Sequence, residues 1–328
     1  MRVSVALCTY NGERFLDAQL DSLLAQSRLP DEIVACDDAS SDGTWERLQA
    51  FAARATERGI EVRLQRNAAN LGYVRNFGQA LQAAGGELLF PCDQDDAWHP
   101  RRIELCVHAF GRDRGLLLLH TDARLVDAAG EPLGRRLFEV LGVTVGELAA
   151  MHAGRAAQVL LRRNIVTGAT MALRRGLLAQ ALPVAEGWVH DEWLAVVAAL
   201  VGRVDTLEEA TIDYRQHGGN QVGARERSLG ERADAGARRD YREAMAAKMR
   251  ALARRVETGG LQPPAEARAL LRERLRHDRV RTSLPRARWQ RIVPVLGELR
   301  AGGYARFGTG LRGALLDLAG PAGGRDDG

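Results

Sequence analysis

Between Val3 and Asp96, short apolar runs alternate with stretches of helical spacing, and three of the runs stop abruptly on polar clusters. Val3–Cys8 ends at Thr9-Tyr10-Asn11-Gly12. Glu32–Cys36 ends at Asp37-Asp38 and a Ser-Ser-Asp42-Gly43 turn. Glu87–Cys92 ends at Asp93-Gln94-Asp95-Asp96. A further run, Ile60–Leu64, is followed by loop residues from Asn67 to Gly72. A helix that packs back along the sheet returns the chain to the end where the next strand can start in the same direction, so successive strands joined this way are read as parallel. The order βαβαβαβ therefore predicts a mostly parallel sheet covered by helices on both faces. In such sheets ligands bind beyond the carboxyl ends of the strands. Each of the three clusters then delivers carboxylates or amides to one edge.

The connectors carry helix signals. From Glu13, Leu16, Leu20, Leu23 and Leu24 share one face, and Pro30 stops the helix. Asp42 or Thr44 is placed to cap a helix from Thr44 to Arg58. Val74 to Ala84 is a third helix, ended by Gly85-Gly86. Beyond the acidic cluster, Leu116–Val126 reads as a strand holding His120, Thr121 and Asp122. Asn164–Arg174 reads as a strand around Gly168. A helix opens at Gly187 and runs to about Val201, with Asp191 and Glu192 in its first turn, where negative charge is favourable. Val204–Tyr214 contains a last short strand. After Gly223 the residues turn to Ala, Arg, Glu and Leu with helical spacing, interrupted at Gly259-Gly260 and Pro263-Pro264 and continuing to about Arg281. Trp289–Leu318 mixes apolar residues with arginine and glycine.

Composition excludes several classes. With 328 residues, 46% hydrophobic and 27% charged, the chain is globular. Four cysteines are too few for a disulfide scaffold. Cys8, Cys36 and Cys92 all sit at strand ends. They lack Cys-x-x-Cys spacing, so buried filling suits them better than a thiolate metal site. The longest apolar run, Trp193–Val201, is short of the roughly 20 residues a spanning helix needs. The first residues lack the pattern of a secretory signal. A cytoplasmic setting is expected. The net charge of +4 hides an asymmetry: from Arg225 onward there are 23 basic and 13 acidic residues, and before it 23 basic and 29 acidic. Such a tail region meets something anionic, whether nucleic acid or lipid headgroups, or else is a solvated helical face.

Asp93-Gln94-Asp95 offers hard oxygen ligands of the kind that hold Mg²⁺ or Mn²⁺ together with substrate phosphates. Acidic side chains this close repel one another, and a divalent cation offsets that repulsion.

At these residues the chain resembles the family 2 glycosyltransferases, which have the GT-A fold, a Rossmann-like α/β arrangement. The matching stretches are Val5-Ala-Leu-Cys-Thr-Tyr-Asn-Gly12, Asp37-Asp-Ala-Ser-Ser-Asp-Gly-Thr44, Asn70-Leu-Gly-Tyr-Val-Arg-Asn76, Asp93-Gln-Asp-Asp-Ala-Trp98 with Pro100, and His190-Asp191-Glu192. Asp-Gln-Asp-Asp-x-Trp, Thr167-Gly-Ala-Thr170 and Tyr214-Arg-Gln-His-Gly-x-Asn220 look most like bacterial rhamnosyltransferases of cell-surface polysaccharide assembly. The resemblance covers residues 1–222 and leaves 223–328 as an Arg-rich, mainly helical region. It implies that Thr9, Tyr10 and Asn11 line a nucleotide pocket, that Asp38 bonds the base, and that Asp93 sits by the ribose. It further implies that Asp95 ligates the metal, with His217 assisting, and that Arg75 contacts phosphate or sugar. Asp191 takes the place of the catalytic carboxylate; His190 precedes it where the family commonly has an acid. Gly168 becomes part of a pocket wall, its missing Cβ allowing close backbone approach. The donor implied is dTDP-L-rhamnose and the acceptor a growing glycan, lipid-linked or at the cell surface. The basic C-terminal residues would then rest against an anionic membrane.

The residue types fit this chemistry. A metal stabilises a departing nucleoside diphosphate, one carboxylate removes the acceptor proton, and a single base without a covalent intermediate gives inversion. Two other functions compete. A nucleotidyltransferase acting on sugar phosphates wants a glycine-rich, basic loop after the first strand, which Thr9-Tyr-Asn-Gly12-Glu lacks. A non-enzymatic nucleotide- or nucleic-acid-binding module leaves the three strand-end clusters and Asp191 unexplained, and nucleic acid is not the expected partner. Individual residues also have plainer readings: Asp191 as a helix first-turn acid, His217 as a loop histidine, Asp38 as a turn aspartate, and Trp98 and Trp193 as core rather than sugar platforms.

Overall fold

The computed structural model describes residues 1–218 and 235–320. They divide into two compact units. One comprises Met1–Ala156, Ile165–Val184 and the chain from Val189 to the end of the first described stretch; the other comprises Ala157–Asn164, Ala185–Trp188 and residues 235–320. The boundary expected between 222 and 223 lies outside the described residues.

The first unit is built on a nine-stranded sheet. Its strands are β1 (Val3–Thr9), β2 (Glu32–Asp37), β3 (Glu61–Arg66), β4 (Leu88–Cys92), β5 (Ala97–Trp98), β6 (Leu116–Val126), β7 (Pro132–Arg136), β8 (Met171–Arg174) and β9 (Arg203–Arg215). Their order is β3-β2-β1-β4-β8-β6-β9-β5, with β7 added on β6. Pairings β3–β2, β2–β1, β1–β4 and β6–β9 are parallel and are the long ones. β8 runs antiparallel to β4 and β6, and the short β5 and β7 are antiparallel to their neighbours. The sheet is thus mostly parallel, as its sequence order requires.

Helices α1 (Glu13–Leu24), α2 (Thr44–Glu57), α3 (Tyr73–Ala83) and α4 (Arg102–Arg112) are the connectors. Leu16, Leu20, Leu23, Leu48, Phe51 and Phe110 fill a core against Val5, Leu7, Ile33 and Phe90, all shielded from solvent. Burial of β1, β2 and β4 on both faces explains their uninterrupted apolar runs. The cysteines belong to this filling: all four are buried and free, and burial raises the Cys8, Cys36 and Cys92 thiols, keeping them protonated.

Two expectations are corrected. Asn164–Arg174 is a strand only over its last four residues; Gly168–Thr170 is a 3-10 turn. The last strand is not short. β9 runs thirteen residues, with its register to β6 slipping between Leu207 and Ala210, where Glu208 and Glu209 bulge outward. Between 127 and 170, where the sequence has no clear period, lie β7 and the short helices α5 (Leu137–Val140), α6 (Val145–His152) and α7 (Ala156–Leu160). The brief α8 (Leu178–Ala181) precedes α9 (His190–Val201).

The second unit is helical over its described C-terminal residues: α10 (Ala235–Glu257), α11 (Ala265–Thr282), a 3-10 turn Arg288–Arg291, α12 (Ile292–Arg300), α13 (Gly303–Phe307) and α14 (Leu311–Ala319). Val295, Tyr304 and Ala314 form a small core. Polar groups are buried beside it in pairs: His277 Nδ1 lies 3.1 Å from Glu298, and the Tyr304 hydroxyl donates to Asp317 at 2.9 Å.

Candidate active site at the strand ends

Register places the clusters together. Thr9 pairs with Asp37 across β1 and β2, and Leu7 pairs with Cys92 across β1 and β4. The three polar loops therefore leave one edge of the sheet side by side.

The first two loops cap each other's helices. The Glu13 N–H donates to Asp42 and the Gly12 N–H to Thr44, while the Gly43 N–H donates to Glu13. Asp42 also accepts from the Thr44 N–H. Burial raises its carboxyl, but the Thr44 and Glu13 bonds outweigh that and hold it below the usual range. The single sequence signal for one cap thus serves two helices. Asn11 and Ala39 adopt positive φ, 48° and 63°. For a non-glycine residue this costs about 1–2 kcal/mol, and such strain gathers at binding loops. Asn11 is held there by the Ser41 N–H, which donates to its side chain at 2.8 Å.

The nucleotide-pocket candidates separate. Tyr10 and Asn11 face outward. Thr9 does not: it is buried, and its hydroxyl donates to Asp37 at 2.9 Å. A threonine ending a central strand points its side chain into the neighbouring strand rather than toward a ligand. Asp38 is also buried; it accepts from Asn67, Leu71 N–H and Gly72 N–H at 2.8–2.9 Å and so fixes the loop leading into α3. Arg75, in the first turn of α3, is exposed, and among the described residues its guanidinium makes no hydrogen bond.

Asp93 is half-buried, and its carboxyl is pushed up to about 8 by burial and by the charges of Asp95 and Asp191. Asp96 is raised by burial and by the charges of Asp95 and Asp93. Asp93 thus feels carboxylates from two distant parts of the chain. His217, just beyond β9, brings its Nε2 to 2.8 Å from Asp95. The Phe15 ring packs on its imidazole at 4.6 Å. Arg215 secures the same loop: its Nε–H donates to the Asp95 carbonyl at 2.7 Å and its N–H to Asp96 at 3.0 Å.

Among the described residues no group of three or more His, Cys, Asp or Glu is arranged to hold a metal ion. One or two carboxylates are nonetheless the protein's usual share of an Mn²⁺ or Mg²⁺ site completed by phosphates. The repulsion that Asp95 and Asp191 exert on Asp93 fits such a cation.

Asp191 opens α9 half-exposed. Its oxygens accept from Glu192 N–H at 2.7 Å and Gly168 N–H at 3.0 Å. A Cβ on Gly168 would stand 3.0 Å from His190 Nε2 and 3.5 Å from Asp191 Cβ. The space beside Gly168 is therefore occupied by Asp191 and His190. His190 is buried and stacks on Phe77 with ring centres 4.3 Å apart. Burial lowers it, and the opposing pull of Asp191 is weaker. A neutral ring takes the place of the second acid, so no like charge lies directly before Asp191.

Sequence reasoning missed Gln94 and Arg102. Gln94 clamps Tyr10, accepting from its N–H at 2.7 Å and donating to its carbonyl at 3.0 Å. A Cβ on Gly12 would collide with it. Arg102 is fully buried; it donates to Thr211 at 2.7 Å and to the Ala169 and Met171 carbonyls at 2.9 and 3.2 Å. Its guanidinium lies 4.6 Å over the Trp98 ring. An arginine opening an amphipathic helix reads as exposed, and its partners come from elements remote in sequence. Trp98 and Trp193 are both core residues.

The mostly parallel sheet flanked by helices is a GT-A-like fold. The family model for Glycosyl transferase family 2 matches residues 4–180, more than half of the chain, and the protein belongs to that family. It is 27% identical over 234 residues, 67% of its length, to an uncharacterized glycosyltransferase of Nostoc sp.. It spans 66%, 45% and 59% of the lengths of three curated relatives. Its fold is similar to that of S. aureus TarS 1-349 in complex with UDP-GlcNAc (TM-score 0.55, 18% identity, 93% of this chain and 88% of that one). It is also similar to mannosyltransferase PcManGT from Pyrobaculum calidifontis in complex with GDP-Man and Mn²⁺ (TM-score 0.54, 18% identity, 96% and 80%).

Proposed function

We propose that this protein is a metal-dependent, inverting glycosyltransferase that moves a sugar, L-rhamnose from dTDP-L-rhamnose, onto a hydroxyl of a cell-surface glycan or lipid-linked acceptor. The convergence of Asp93, Asp95 and Asp191 beside His217 carries the reading. Family membership supports the reaction type. Two proteins of similar fold hold a sugar nucleotide, one of them with Mn²⁺. The choice of rhamnose rests on the resemblance carried by the Asp93–Trp98, Thr167–Thr170 and Tyr214–Asn220 stretches.

In this reading Tyr10 and Asn11 border the nucleotide, Asp38 shapes the base end through the Asn67–Gly72 loop, and Asp93 meets the ribose. Arg75 supplies positive charge to phosphate or sugar. Asp95 and His217 would hold Mg²⁺ or Mn²⁺, which when bound offsets the charge released on the diphosphate. Asp191 takes the proton of the acceptor hydroxyl. That oxygen bonds to the anomeric carbon as the bond from this carbon to the phosphate oxygen breaks, and the nucleoside diphosphate departs with the electron pair. Residues 1–222 act as the transferase domain. Residues 223–328 hold the chain at the anionic inner face of the cell membrane, where a lipid-linked acceptor lies.

The test is a panel of dTDP-, UDP- and GDP-sugars with Mn²⁺ or Mg²⁺, following nucleoside diphosphate release. Turnover is expected with dTDP-L-rhamnose, falling by about 10²–10⁴-fold in Asp191→Asn. Turnover confined to another donor overturns the sugar choice. An Asp95→Asn protein that transfers at full rate in chelator overturns the mechanism.

A further inference from the structure

The second unit sorts its arginines into two populations. Arg274 and Arg291 are buried. Arg281 donates to Asp317 at 2.7 Å, and Arg242 lies 2.9 Å from the same carboxylate. Those charges hold the helices together and face no partner. Net charge alone therefore overstates what the surface presents.

From Ser283 to Gly320 the balance differs. Both acids there, Glu298 and Asp317, are inside, 4% and 2% exposed. Every exposed charged side chain is an arginine: Arg286, Arg288, Arg300, Arg306 and Arg312. Arg306 pairs with Glu273. Arg288, Arg300 and Arg312 make no ion pair among the described residues.

The same segment turns large apolar side chains outward. Trp289 is 72% exposed, Val293 79%, Leu311 71% and Leu315 63%; Ile292 and Leu296 are exposed as well. On α12, Ile292, Val293 and Leu296 lie on the face opposite buried Val295 and Glu298. On α14, Leu311 and Leu315 lie opposite buried Ala314 and Asp317. The two helices pack against one another. Isolated exposed apolar residues are ordinary, but a group of this size marks an interaction surface.

We propose that the outward faces of the Arg288–Arg291 turn, α12 and α14 form an interfacial membrane-binding surface that inserts Trp289, Val293, Leu311 and Leu315 into the headgroup region of an anionic bilayer. Charge complementarity selects this occupant. A surface of apolar residues and arginine with no exposed acid fits anionic headgroups, and tryptophan favours the interface. No helix of the described residues is long and apolar enough to cross a membrane, so contact is by lying on the surface. The inference deepens the membrane role given to residues 223–328 and is independent of the donor chemistry.

The test is cosedimentation of the full chain with vesicles of phosphatidylcholine alone or mixed with phosphatidylglycerol. Binding is expected only to the mixed vesicles. Arg288→Glu and Arg312→Glu should each weaken it by at least about fivefold. Val293→Ser combined with Leu315→Ser should abolish it, while nucleoside diphosphate release without vesicles stays unchanged. Brominated lipid should quench a fluorescence component that is absent in Trp289→Phe. Equal binding to both vesicles, retention by the Val293→Ser/Leu315→Ser protein, or a dimer that this double variant converts to monomer without vesicle binding overturns the proposal. Failure of sugar transfer with vesicle binding intact would instead count against the reaction alone.

Discussion

The Gly168 N–H donates to Asp191 at 3.0 Å, joining the 3-10 turn before β8 to the first residue pair of α9. The bond sets where the proposed base points. The absence of a side chain at Gly168 leaves room for His190 to stack on Phe77 behind it.

Gly168→Ala places a methyl 3.0 Å from His190 Nε2. The outcome expected is a fall in kcat of about 10–100-fold from misplacement of Asp191, with KM for the donor nearly unchanged. Steady-state kinetics over a range of donor concentrations checks it; a change in KM alone would mean that the turn serves donor binding.

Asp95 and His217 should act as a pair toward metal. His217→Ala and Asp95→Asn are each expected to weaken Mn²⁺ affinity by at least about 10–100-fold. The double variant should be little worse than Asp95→Asn alone. Calorimetric titration of Mn²⁺ in the presence of nucleoside diphosphate measures this without relying on turnover.

Arg102→Leu removes donors from the Ala169 and Met171 carbonyls and from Thr211. Each buried group left without a partner costs about 1–3 kcal/mol, so a destabilisation of about 3 kcal/mol or more is expected in denaturant unfolding. Arg102→Lys should recover little of it, since one ammonium cannot reach all the acceptors.

His120 is fully buried in β6, neither ring nitrogen has a hydrogen-bond partner in the described structure, and burial lowers its pKa from 6.5 to about 3 despite the opposing charge of Asp205. Folding therefore favours the neutral ring. The stabilisation is fully present above the unfolded value of 6.5 and is lost progressively as pH falls toward the folded value of about 3. His120→Leu should unfold less readily than the parent in that acid window, and thermal midpoints across it check the sign.

How far the site was legible follows from which residues act locally. Apolar runs ending at Cys8, Cys36 and Cys92 announced parallel strands, and parallel strands align their ends, so the edge and the acids on it could be named from order alone. Which acids repel, and that His217 meets Asp95 across 122 residues, depends on where β9 lies in the sheet, which no local period encodes. Thr9, expected at a strand end, and Gly168, expected within a strand, show the same limit: the direction of a side chain, or the purpose of lacking one, is set by neighbours.

The sequence by itself determined the α/β order, the carboxylates at the strand ends and the basic character of the C-terminal residues, because strand and helix periods and charge are properties of short stretches. Only the tertiary structure decided that Arg102 is buried, that His190 is neutral behind Asp191, and which C-terminal arginines are spent on internal acids. Those outcomes arise from desolvation and from contacts between segments far apart in the chain, and such terms come into being only when the chain has closed on itself.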